Sequence, residues 1–71
     1  MKPEEIKKNL NKLVRYRSSK LGLDSEYILT GAIFRKGENG FYYQAELTDP
    51  KWQNSIIIAG LEQIEAIKEG G

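Results

Sequence analysis

A pair of β-type runs joined by Asn39-Gly40 does most to restrict how this chain can fold. Glu26 to Arg35 is rich in β-branched and aromatic residues, and Phe41 to Leu47 alternates apolar odd positions with mostly polar even ones. Asn-Gly between two such runs is the strongest short hairpin signal. A two-residue loop at Asn39-Gly40 sets Phe34 opposite Ala45 and Ala32 opposite Leu47. A four-residue loop slides the register by two and keeps the parity. Either way Ala32, Phe34, Phe41, Tyr43, Ala45 and Leu47 are expected on the inner face, with Ile33 and Tyr42 turned outward. Gly31 marks a place where the long first strand can bend or bulge.

The flanking segments supply one helix and three shorter strands. Pro3, Glu4 and Glu5 read as a helix start, because proline suits the first turn and carboxylates favour the positive end of the helix dipole. Ile6, Leu10 and Leu13 recur at i, i+4 and i+7, predicting a helix over about residues 3–12 with one apolar stripe. Val14-Arg15-Tyr16-Arg17 alternates as a half-buried strand does, and Ser18 to Ser25 reads as a loop. Thr48 to Asn54 is a polar loop with Pro50 and Trp52. Ser55 to Gly60 follows, its three isoleucines pointing to a strand buried on both faces. Leu61–Gln63 is expected to form one tight turn before a short strand to about residue 67, with a final helix as the alternative.

That order of elements, from the hairpin through the strand–turn–strand run Ser55 to Ile67, resembles an SH3-like barrel with an added N-terminal helix. The fold expected is therefore mostly β (α+β): a helix at about 3–12 and a five-stranded antiparallel small barrel at about 13–67, in one domain. The stretches Leu29 to Lys36 and Gly40 to Leu47 also resemble small uncharacterised proteins of Gram-positive bacteria that are often carried on mobile elements, a likeness that implies no activity.

Composition narrows the functions open to such a fold. The 71 residues include no Cys and no His, which removes disulfides, the usual zinc ligands, the commonest general base and the most reactive nucleophile. No cofactor is expected. Ser18 or Ser19 with Lys20, and Asp24 with Glu26, can be written as catalytic pairs, but a polar turn explains them more simply, so the chain is read as non-enzymatic. The glycines show no phosphate-binding spacing. The first fifteen residues hold seven charges and the longest apolar run is Ile56 to Ala59, so neither a signal core nor a membrane span is present and a cytoplasmic location is expected.

Two kinds of partner remain. The net charge is only +1, yet residues 1–36 carry nine Lys/Arg against four Asp/Glu and residues 37–71 carry two against six. Lys8, Lys12, Arg15 and Arg17 in the basic segment 7–20 are candidate phosphate contacts for a nucleic acid. Aromatics outnumber what so small a core can hold, which leaves Trp52, Tyr42, Tyr16 and Tyr27 as candidate anchors for a protein or extended peptide. SH3-like barrels hold peptides on loop aromatics, so the resemblance also points to a protein partner, and this reading is preferred. The chain is expected to be a monomer or weak homodimer, the latter through Ile56–Ile58 if that strand lies at an edge.

Overall fold

The computed structural model describes residues 1–52 and 54–67; Gln53, within the loop expected at Thr48–Asn54, lies outside them. In chain order the elements are helix α1 (Pro3–Asn9), strands β1 (Leu13–Ser18), β2 (Leu23–Gly37), β3 (Gly40–Thr48) and β4 (Ile56–Gly60), a 3₁₀ turn (Leu61–Gln63), and strand β5 (Ile64–Ala66). The strands form one antiparallel sheet in the order β4-β3-β2-β1-β5. The outermost strands, β4 and β5, are joined by the 3₁₀ turn but do not pair with each other among the described residues, so the sheet is open.

Helix α1 stops three residues earlier than the apolar stripe suggests. Leu10 leaves the helical path with extended backbone (φ −60°, ψ 134°), and Asn11 follows at φ 65°, a left-handed conformation that asparagine tolerates better than most residues. The Asn11 N–H then donates to the Leu29 carbonyl at 2.7 Å, and the Leu29 N–H donates to the Lys12 carbonyl at 3.0 Å. Those bonds commit Leu13 to the start of β1, facing solvent. Of the stripe, only Ile6 is buried. At the other end the Met1 ammonium donates to the carbonyls of Leu61 and Ile64 at 2.7 and 2.9 Å, which fastens the start of the chain to the 3₁₀ turn and β5.

Strand β2 begins at Leu23, so the expected loop shrinks to Ser19–Gly22, where Gly22 supplies φ 65°. The strand then serves two partners in succession. Residues 23–28 pair with β1 and residues 28–37 with β3. Between them the register shifts: Leu29 faces Leu47 but Gly31 faces Glu46, leaving Thr30 as an extra residue. This bulge inverts the side-chain parity of β2. Leu23, Tyr27 and Leu29 face the core before it; Ala32 and Phe34 share that face after it. The Thr30 hydroxyl lies 2.8 Å from the Glu46 carboxylate, to which it donates, and 2.9 Å from the Thr48 hydroxyl.

The hairpin turn is centred on Glu38-Asn39, with Gly37 paired to Gly40, so the register is the one slid by two and Phe34 lies opposite Tyr43. Gly40, not Asn39, takes the positive φ (118°). The core comprises Ile6, Val14, Tyr16, Leu29, Ala45, Leu47, Ala59 and Ile64, with Met1, Leu23, Tyr27, Ile57 and Leu61 packed around it. Two isoleucines expected in that core are not there. Ile57 packs inward beside Leu47, but Ile56 and Ile58 pair with Thr48 and Glu46 on the outer face, and both are exposed there. No helix among the described residues is long and apolar enough to cross a membrane.

Full burial of a leucine contributes about 1.5–3 kcal/mol, and its removal also leaves a cavity. Leu47→Ala is therefore expected to lower the unfolding free energy by about 2–5 kcal/mol, against less than about 1 kcal/mol for Leu13→Ala at its exposed site. Urea denaturation measures both; equal losses would contradict the placement of Leu13.

Candidate functional site: the aromatic face of the β2–β3 ribbon

Strands β2 and β3 are much longer than their neighbours, and the excess length makes the site. Strand β1 pairs with β2 only up to Ile28, and β4 pairs with β3 only from Gln44 onward. From Phe34 to Tyr43 the sheet is therefore two strands wide, and among the described residues no strand covers its inner face. The three aromatics expected to fill the core stand on that overhang instead. Phe34, Phe41 and Tyr43 are 54%, 67% and 42% exposed. Phe34 sits between the other two, its ring centroid 4.9 Å from each, at interplanar angles of 27° to Phe41 and 28° to Tyr43. Stacked pairs of this kind contribute about 0.5–1.5 kcal/mol each beyond their buried area, which stiffens a ribbon that would otherwise be marginal.

The ladder runs into a groove at the base of the ribbon. Pro3, Ile6, Lys7 and Leu10 form the helical wall, and Ala32 and Tyr43 the sheet wall, of an open, mostly apolar cleft of about 320 Å³. Lys36 lies opposite Phe41 and shares its face, so Lys7 and Lys36 bracket the aromatic surface at its two ends.

The residues expected to bind a partner are dispersed. Tyr16 is 3% exposed and belongs to the core, because alternation along β1 turns Val14, Tyr16 and Ser18 inward. It is not a surface anchor. Tyr27 is half-buried, its ring edge-on to Tyr16 at 5.8 Å and 76°. Tyr42 lies on the outer face, where its ring covers Gly37: a Cβ there would come within 3.0 Å of the Tyr42 ring. Trp52 is 72% exposed. It sits in a loop shaped by the Asp49 carboxylate, which accepts from the backbone N–H groups of Lys51 and Trp52 at 2.7 and 3.2 Å. Phe34, Phe41 and Tyr43 were legible as one face from the pairing; their exposure follows from the lengths of four strands together.

The phosphate candidates are also divided. Lys8 is on α1, Lys12 follows the left-handed Asn11, and both are exposed. Arg15 and Arg17 lie together on the outer face of β1, among acidic neighbours. The Arg15 guanidinium grips Asp24 through two bonds of 2.8 and 2.9 Å, and Arg17 lies 3.9 Å from Asp24 and 3.6 Å from Glu65. The hydrogen bond to Asp24, then its charge, raises the Arg15 pKa; the same bond, aided by the charges of Arg15 and Arg17, holds the Asp24 carboxyl below its ordinary value. Among the described residues no three His, Cys, Asp or Glu side chains cluster as metal ligands would. Comparison with protein-family models, curated proteins and solved structures finds no match to this chain.

A carboxyl with a depressed folded pKa stabilises the fold above the unfolded carboxylate pKa, and that contribution is lost as pH falls through the folded value. In Arg15→Gln the Asp24 carboxyl is expected to titrate at higher pH than in the wild type, read by carbon-detected NMR. An unchanged midpoint would contradict the pairing.

Proposed function

We propose that this domain is a non-enzymatic, SH3-like interaction module that takes an extended peptide along the Phe34–Phe41–Tyr43 ladder and into the α1 groove. The observation that carries the reading is the stacked, exposed triad on the face that continues the core. Three rings held by two paired strands give a wide apolar surface with little entropy left to lose, the character of an energetic anchor for binding. An extended ligand can lie along the ladder and place an apolar residue between Leu10 and Tyr43. Lys7 and Lys36 favour a ligand with a carboxylate beside its apolar residues. Strand order, and a 3₁₀ turn linking β4 to β5, support the SH3-like reading, with the barrel left open at that seam. The lack of His and Cys supports the non-enzymatic one.

Nucleic acid along residues 7–20 is the weaker alternative. Arg15 and Arg17 would have to leave Asp24 and Glu65 before meeting phosphates, and those carboxylates would repel the same backbone.

Random-peptide display on the folded domain tests the proposal. Enriched peptides are expected to be apolar with an acidic flank, and a synthetic winner should bind Phe34→Ser about tenfold or more weakly than wild type. Circular dichroism checks that the variant folds. Failure to enrich any peptide, or binding lost in Trp52→Ala but kept in Phe34→Ser, would overturn it. So would a short mixed-sequence single strand that shifts the Lys8 and Lys12 amides in NMR at physiological salt while no peptide binds.

A further inference from the structure

The two edges of the open sheet are not equally protected. Strand β5 is three residues long, carries Glu65, and has its Ile64 carbonyl already engaged by the Met1 ammonium. Strand β4 has the sequence Ile-Ile-Ile-Ala-Gly, with no charge, no proline and no bulge against β3; its Gly60 N–H donates to the Gln63 side-chain oxygen at 3.0 Å, and among the described residues no strand lies on its far side. Proteins normally blunt such an edge with lysine, proline or a bulge. Here Ile56 and Ile58 instead stand exposed on the outer face beside it.

We propose that β4 pairs with β4 of a second copy of this chain, antiparallel about Ile58, to make a two-fold dimer. The size pattern of the strand favours its own reverse. Pairing about Ile58 sets Ile56 opposite Gly60 and Ile57 opposite Ala59, with Ile58 against itself at the axis. Large residues thus meet small ones on both faces, and the neutral strand brings no like charges together. Ile56 and Ile58 of each copy bury against those of the other on the outer face. Because the pairing uses the less protected sheet edge of each chain and leaves only the short, charged β5 outside, the assembly closes at two copies and does not grow into a fibre. The contact is small, which places it among weak associations. It lies apart from the ladder and does not depend on the peptide reading.

Sedimentation equilibrium from about 10 μM to about 2 mM, a range that brackets weak association, tests this. The wild-type mass is expected to rise from 8.1 kDa toward twice that value, with the Ile56 and Ile58 amides gaining exchange protection at high concentration. Ile58→Lys should stay monomeric throughout with an unchanged circular dichroism spectrum, and Ile56→Lys, at a second exposed site, should do the same. A wild type monomeric at the highest concentration would overturn the proposal. So would a dimer that survives in folded Ile58→Lys or Ile56→Lys, or assembly beyond two copies.

Discussion

The extra residue at Thr30 sets the geometry on which the rest of the molecule depends. One strand of fifteen residues must turn an apolar face toward β1 and β5 in its first half and toward β3 and β4 in its second. Strict alternation would send Leu29 inward and Ala32 outward. Two residues opposing one restores the facing, so that both halves line a single core around Leu29 and Leu47. The insertion leaves Thr30 next to Glu46 and Thr48, and their side-chain hydrogen bonds hold it in place. A hydroxyl at that position satisfies the local polar groups without adding bulk.

The same inversion determines where the aromatics go. Past the bulge, the core face of β2 continues as Ala32 and Phe34, opposite Ala45 and Tyr43. Since β1 pairs with β2 only up to Ile28 and β4 does not reach Tyr43, the core face continues past the buried Ala45 into solvent. A core normally closes over its rings; here the flanking strands are too short to do so, and an unusually apolar surface is left on a rigid support. The ion pairs of Arg15 and Arg17 show the opposite economy on the outer face of β1, where neighbouring strands supply acids for both bases. The basic character of the first half of the chain is thereby partly neutralised on β1.

Much of this architecture could be read from the residues. The hairpin, the possible bulge beside Gly31, the alternation in Val14 to Arg17, and the tight turn followed by a strand at Leu61 to Ala66 rest on local signals that the fold preserves. Three features could not be read locally. Leu13 fits a helical stripe as well as it fits a strand, and the left-handed Asn11 with its bond to Leu29 decides between them. Ile56 and Ile58 look like core because isoleucine favours both burial and strands; only their pairing with Thr48 and Glu46 reveals that they stand on the outer face. Phe34 stands in solvent, not in the core, because the neighbouring strands do not reach far enough to cover it.

The central claim is that the inner-face rings of the β2–β3 ribbon stand in solvent while Tyr16 is sealed in the core. Aromatic NMR with a soluble paramagnetic relaxation agent tests it directly. The account predicts strong broadening of the Phe34, Phe41 and Tyr43 ring signals and little for Tyr16. Protected Phe34 and Phe41 rings beside a broadened Tyr16 would contradict it, and the candidate site would be lost with it.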